Sequence, residues 1–253
     1  MKEKLQQVFS LAKAERRLAL IPFLTAGIPS RESFGKQLQL LAQEGADIIE
    51  IGVPFSDPVA DGPVVEEASL KALDQGVNLD YIFEVLAATP LESQKVLMGY
   101  FNPFYQYGLE KLLQKCLQCD ISGLIIPDLP LEEYLNYFPQ DSKVSYIPLI
   151  GLNTSRERMQ AYSQLNPPFV YMVSILGLTG SELKVEEVLS QQLKLAREVF
   201  NCPLVLGFGL SSPEQLDPIK QYLDGVVFGS SLIRYLQNQG TVEGFLQKWK
   251  IAL

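Results

Sequence analysis

The sequence predicts an α/β fold, a single (β/α)8 barrel over residues 1–253 with an extra helix ahead of the first strand. Three observations predict it. Short apolar runs alternate with longer amphipathic segments along the chain, the pattern of repeated βαβ units. Runs such as LIIP and VVFG are apolar on successive residues, as expected of parallel strands buried on both faces. Eight such runs occur with no low-complexity linker between them, and 253 residues is an ordinary length for one α/β barrel.

Taken in order, Leu5, Val8, Phe9 and Ala12 recur at helical spacing and give the extra helix a packing face. The expected strands are 18–24, 47–53, 96–100, 123–126, 144–149, 169–174, 204–207 and 225–228. Helical patterns fill the gaps, among them 34–43, 66–74, 109–117, 185–200 and 245–252. In a barrel of this kind, chemistry sits at the carboxyl ends of the strands.

Composition removes whole classes of function. Acidic residues number 29 against 21 basic, a formal net charge of −8 that opposes nonspecific attraction to nucleic acid or to an anionic membrane. No apolar stretch approaches the roughly 20 residues that span a bilayer, and no leader pattern opens the chain. A soluble, cytoplasmic protein with neither partner is expected. Cys116, Cys119 and Cys202 are too few and too unevenly spaced for a disulfide framework. Cys116 and Cys119 form a C-x-x-C, which redox or zinc chemistry would use, but no second pair follows and the apolar context reads as a helix end. The sequence contains no histidine, which excludes Ser-His-Asp triads, imidazole acid–base catalysis and the usual zinc ligand sets. Proton transfer falls to carboxylates, Tyr, Lys or Cys, and no metal is expected.

The most informative segment is 48–63, IIEIGVPFSDPVADGP. It places Glu50 among Ile48, Ile49, Ile51 and Val53, where a desolvated carboxylate costs free energy. A structural salt bridge to a buried cation is one reason for such a residue; catalysis is the other. The following loop carries Pro54, Pro58 and Pro63 for stiffness, with Asp57, Asp61 and Gly62, a composition suited to placing side chains. At the other side of the expected barrel, Gly207 and Gly209 close strand seven, and Gly229 and Ser230 close strand eight. Such glycines let main-chain N–H groups approach an anion, and phosphate sites recur at these two strands. Neither loop contains Lys or Arg, so oriented backbone dipoles are expected to hold the anion.

Segment 48–63 resembles the signature of the tryptophan synthase alpha subunit family, lyases that cleave indole-3-glycerol phosphate. Further segments fit the same family in order: PFLTAGIPS from Pro22, LMGYFNPFYQYG from Leu97, GLIIPDLPLEE from Gly123, YMVSILGLTG from Tyr171, PLVLGFGLSSPEQ from Pro203 and DGVVFGSSL from Asp224. The resemblance implies a TIM barrel and a retro-aldol cleavage to indole and glyceraldehyde 3-phosphate with no cofactor in this chain. It implies that Glu50 shuttles protons, with an apolar surround raising its pKa into the working range. Asp61, in a wetter loop, would stay ionised and stabilise positive charge on the indole ring. Gly180 is implied as a third contributor to the phosphate site with Gly209, Gly229 and Ser230, in a lid over 175–184. Phe23, Tyr100, Ile125, Tyr171, Thr179 and Phe208 match residues lining the substrate pocket. A pyridoxal phosphate-dependent beta subunit is the implied partner in an α2β2 heterotetramer, meeting Asp57, Pro58, Asn102, Pro103 and Phe104. FNPFY by itself reads as a turn with exposed aromatics. Ile175 and the pair Leu152 and Asn153 depart from the family pattern and bear on lid closure. They leave open an alpha-like subunit that only activates a beta partner, and the glycine loops alone would equally serve another phosphate-binding barrel.

Overall fold

A computed structural model describes residues 1–173, 182–207, 209–210 and 212–252. Its strands are β1 (Ala19–Thr25), β2 (Ile48–Gly52), β3 (Gln94–Met98), β4 (Ile121–Ile125), β5 (Ser145–Tyr146), β6 (Leu149–Gly151), β7 (Val170–Val173), β8 (Leu204–Gly207) and β9 (Gly225–Phe228). Its helices are α1 (Lys2–Ala14), α2 (Phe34–Gln43), α3 (Pro63–Asp74), α4 (Leu79–Ala88), α5 (Phe101–Tyr107), α6 (Leu109–Gln118), α7 (Leu131–Tyr137), α8 (Arg156–Gln164), α9 (Glu182–Val199), α10 (Ser230–Gln237) and α11 (Val242–Ala252). Every strand pair is parallel, in the order β5-β4-β3-β2-β1-β9-β8-β7-β6. Strands β1, β2 and β4 are buried at every position, as their unbroken apolar runs require.

Sheet edges β5 and β6 are consecutive in the chain, so the ring closes through the residues between them. Ile147 N–H donates to Leu124 O at 3.0 Å and Tyr171 N–H donates to Pro148 O at 3.1 Å. The single strand expected over 144–149 is thus divided, because Pro148 has no N–H to give to a ladder. Joined across that break, the nine segments make the eight staves of a barrel. Strand three also ends earlier than expected, since Tyr100 is the N-cap of α5. The C-x-x-C does end a helix: Cys116 is on the buried face of α6 and Cys119 caps it, its Sγ donating to Phe83 O at 3.6 Å. The segment read as a turn, FNPFY, is helical instead. Pro103 lies in the first turn of α5, where its missing N–H removes no helix bond.

The core is one cluster that includes α1 through Leu5, Phe9 and Ala12, the residues whose spacing predicted that helix. At the amino end of the strands a device occurs twice. Asp47, just before β2, accepts from Leu20 N–H at 2.8 Å and takes a two-pronged bond from Arg17, at 2.6 and 2.8 Å. Asp224, just before β9, accepts from Leu204 N–H at 2.8 Å and pairs with Arg197 at 2.6 Å. Each aspartate ties its own strand to a neighbour, on the face of the barrel that serves stability. Among the described residues, no helix is long and apolar enough to cross a membrane.

Replacing Asp47 with Asn leaves the Arg17 guanidinium without its main counter-charge. Asp47→Asn is expected to destabilise the fold by about 2 kcal/mol in urea unfolding while leaving ligand affinity at the opposite end unchanged.

Candidate active site

Glu50 is the centre of β2, in register with Phe23 of β1 and Val96 of β3. It is 1% exposed, and neither carboxyl oxygen has a hydrogen-bond partner among the described residues. The salt-bridge explanation for its position is therefore unsupported. Burial, joined by the negative charge of Asp61, pushes the Glu50 carboxyl up to about 8. At neutral pH Glu50 carries a proton.

Asp61 ends the loop between β2 and α3, and Pro63 then starts the helix at a position that favours proline. Tyr100 pins this loop to the barrel: its hydroxyl accepts from Ala60 N–H at 2.9 Å and donates to Asp61 Oδ2 at 3.2 Å. Asp61 itself is half-buried and drier than the composition of this largely exposed loop implied. Desolvation pushes the Asp61 carboxyl up to about 6, with the Tyr100 hydrogen bond opposing and the charge of Glu66 assisting the rise. Asp61 nevertheless remains mostly ionised at neutral pH. Two neighbouring carboxyls thus hold different protonation states, the arrangement that separates an acid from an electrostatic stabiliser.

Both carboxyls line a cavity of about 200 Å³ at the carboxyl ends of the strands, with Phe23, Met98 and Tyr171 as apolar and aromatic wall. Gly209, Gly229 and Ser230 line the same cavity from the loops after β8 and β9. Gly229 is the N-cap of α10, so the first N–H groups of that helix are available on this side. A side chain at Gly229 would not fit: a Cβ there would stand 2.7 Å from the Phe23 ring, and one at Gly52 would stand 2.5 Å from it. Phe23 therefore spans from the Glu50 strand to the glycine loop. Arg234, absent from the sequence-based candidates, also lines the cavity. It lies one helical turn beyond Ser230, and looking only within the glycine loops missed that i, i+4 relation. Among the described residues it has no ion-pair partner.

A family model for the tryptophan synthase alpha chain matches residues 9–250. The chain belongs to the tryptophan synthase alpha chain family. Its relatives include the tryptophan synthase alpha chain of Maridesulfovibrio salexigens, 46% identical over 98% of each chain. That of Solidesulfovibrio magneticus is 48% identical over 94% of this chain and 95% of its own. Among solved structures, tryptophan synthase subunit alpha from Legionella pneumophila superposes with a TM-score of 0.83 at 28% identity, covering 97% of both chains. An open form of tryptophan synthase from M. tuberculosis gives 0.86 at 29% identity, covering 98% of this chain and 97% of that one. The (β/α)8 barrel is the fold of this family's solved members, and the reaction class is that of a lyase.

Not every expected residue of the tryptophan synthase alpha pattern reaches the cavity. Tyr100 acts through Asp61, and Ile125 is fully buried in β4 away from the main cavity wall. Thr179, Gly180 and Phe208 lie outside the described residues, as does Ile175. Leu152 and Asn153 form a turn after β6, closed by Gly151 N–H donating to Thr154 Oγ1 at 2.8 Å. Of the expected contact residues, Asp57 and Asn102 are exposed, Pro103 is half-buried and Pro58 is buried. Phe104 is not a surface residue as expected: it is 0% exposed, with its ring against Gly99, because it is the residue that α5 turns toward the core. Exposed apolar surface in this region comes instead from Val59, at 84%, and from Tyr105 and Tyr137, which cluster with the half-buried Phe101 at ring-centroid distances of 4.9 to 5.9 Å.

Glu50 makes stability depend on pH with a definite sign. Its folded pKa, about 8, lies above its ordinary 4.5, so its contribution is fully present below 4.5 and is lost as pH rises through about 8. Asp61 behaves likewise between 3.8 and about 6. Glu50→Gln cannot ionise, so at about pH 9 it is expected to exceed wild type in unfolding free energy by a few kcal/mol, at about 1.4 kcal/mol per pKa unit. The difference should shrink steadily toward pH 5 in urea titrations.

Proposed function

We propose that Glu50 and Asp61 together carry the cleavage of indole-3-glycerol phosphate to indole and glyceraldehyde 3-phosphate, with the phosphate at Gly209, Gly229, Ser230 and Arg234. One observation carries this reading: a protonated carboxyl and a guanidinium, each without a partner among the described residues, and an ionised carboxyl all line one cavity beside a helix start. Glu50, protonated at the outset, gives its proton to C3 of the indole ring. The ring becomes an indoleninium, and Asp61 accepts the indole N–H hydrogen bond and offsets the new positive charge. The Glu50 carboxylate then takes the proton of the C3′ hydroxyl as the C3–C3′ bond breaks. The bonding electrons return to the ring, the glycerol carbon leaves as an aldehyde, and Glu50 regains its proton. No cofactor is needed in this chain for those steps.

Arg234 changes the anion end from the dipole-only site expected from the sequence. In a chain of net charge −8, a cation beside Gly229 and Ser230 with no ion-pair partner among the described residues supplies attraction that helix N–H groups alone do not. Thr179, Gly180 and Phe208 are assigned to the same pocket by their place in the family motif. A pyridoxal phosphate-dependent beta subunit is the partner in this reading, in an α2β2 assembly that consumes the indole. Asp57, Val59 and Asn102, with the Phe101, Tyr105 and Tyr137 cluster, supply a partly apolar surface near the carboxyl-end loops on which it would dock.

The protonation states predict a bell-shaped profile of kcat/KM for indole release, rising through about 6 as Asp61 ionises and falling through about 8 as Glu50 loses its proton. Glu50→Gln should lower kcat by about 10²-fold or more and abolish the alkaline limb. A variant keeping over half of the wild-type rate excludes Glu50 as the proton shuttle.

Arg234→Gln should weaken both the substrate and inorganic phosphate about tenfold, about 1.4 kcal/mol, with indole affinity and kcat little changed. Phosphate inhibition constants equal to wild type would remove Arg234 from the anion site.

A further inference from the structure

Beside the main cavity is a second one of about 10 Å³, which shares Phe23, Asp61, Val65 and Met98 with it. Thr25, Ser69 and Tyr100 bring further polar groups to its wall. Thr25 ends β1 and is 1% exposed, and its Oγ1 is buried with no hydrogen-bond partner among the described residues. Ser69, on the buried face of α3, is 3% exposed. Buried hydroxyls are almost always paired, so a Thr hydroxyl facing a polar pocket points to a ligand there. The cavity has room for one water molecule, and a buried water needs two to four polar partners. Thr25, Ser69 and Asp61 are three.

We propose that this cavity binds one ordered water that joins the Thr25 and Ser69 hydroxyls to the Asp61 carboxylate, making Thr25 and Ser69 positioning residues for Asp61. Thr25 Oγ1 donates to the water, and the water donates one proton to Asp61 and the other to Ser69 Oγ. Tyr100 already donates to Asp61 Oδ2, so the water serves Oδ1 and the carboxylate is held from two directions. Ionised Asp61 then has a fixed orientation toward the main cavity. The catalytic part of this inference rests on the proposed cleavage; the water and its effect on Asp61 do not.

The groups that act on Asp61 set the direction of the effect. Glu66 on α3 opposes its ionisation, Tyr100 ahead of α5 favours it, and Glu50 on β2 and Tyr171 on β7 are coupled to it while neutral near pH 6. A donating water acts in the same sense as Tyr100. Its loss therefore moves the titration of Asp61 to higher pH.

The test compares wild type, Thr25→Val, Thr25→Ser and Ser69→Ala in the full chain. Carboxyl ¹³C NMR, with Asp61 assigned through Asp61→Asn, reads the titration without reference to activity. Thr25→Val and Ser69→Ala should each raise the Asp61 midpoint by about half a pH unit or more, and Thr25→Ser should restore it. The acid limb of kcat/KM should move with the midpoint. A high-resolution crystal structure of wild type should show water within hydrogen-bond distance of Thr25 Oγ1 and Asp61. An unshifted midpoint in both Thr25→Val and Ser69→Ala, a Thr25→Ser variant shifted as far as Thr25→Val, or an empty cavity in the crystal overturns the proposal. Should wild type release no indole while the midpoints shift as stated, the water site stands and the proposed reaction falls.

Discussion

Desolvation of one carboxyl governs the site. Glu50 occupies a strand buried on both faces, with apolar neighbours along the chain and no partner among the described residues. Water would hold such a group ionised at neutral pH; its removal favours the protonated form. The surroundings follow from keeping that proton. A nearby Lys or Arg would draw it off; the cation that lines the cavity is Arg234 on α10, and Lys95 of β3 is not among the lining residues. Asp61, the neighbouring negative charge, strengthens the effect on Glu50 while keeping its own charge through Tyr100.

Phe23 connects the two functions of the cavity by packing alone. Its ring fills the space that side chains at Gly52 and Gly229 would need, so the acid strand and the glycine loop share one spacer. Tyr171 does similar work against Gly207, where a Cβ would stand 2.2 Å from the Tyr171 hydroxyl. Aromatic side chains with few rotatable bonds hold such distances at low entropic cost. Gly52, Gly229 and Gly207 leave the room that these rings fill.

Much of this was legible in the sequence, for identifiable reasons. Buried parallel strands leave apolar runs, so all eight staves stood out, the fifth as one strand where Pro148 divides it, and a glutamate inside one of them was conspicuous. What was missed depends on distance across the barrel or on a local turn. Arg234 is an exposed residue of an amphipathic helix, and only the placement of that helix at the cavity distinguishes it from the rest of the solvated surface. Phe104 and Tyr105 are adjacent in an aromatic run, and only the helical rise of α5 sends the first inward and the second out. The dryness of Asp61 was invisible because Tyr100 is remote in sequence from the loop it seals. Pro148 is plain in the sequence, but the apolar run through it masks the break that its missing N–H makes in the strand.

That proline determines how the ring is joined. β5 meets β4 over two register positions and β6 meets β7 over three, whereas β2 and β3 share five. The closure is thus a thin part of the hydrogen-bonded wall, as is the β8–β9 pair with its two positions, and it falls opposite β1 in the strand order. A barrel opens at a thin seam before it melts where its ladders are longest, much as a hoop parts at its clasp. The amides of Ile147 and Tyr171, which hold the clasp, would exchange with solvent through such partial opening, ahead of amides in the β2 and β3 ladder that wait for global unfolding. Glu50 stands in that better-tied region, so the residue whose chemistry depends most on exclusion of water is among the last to meet it.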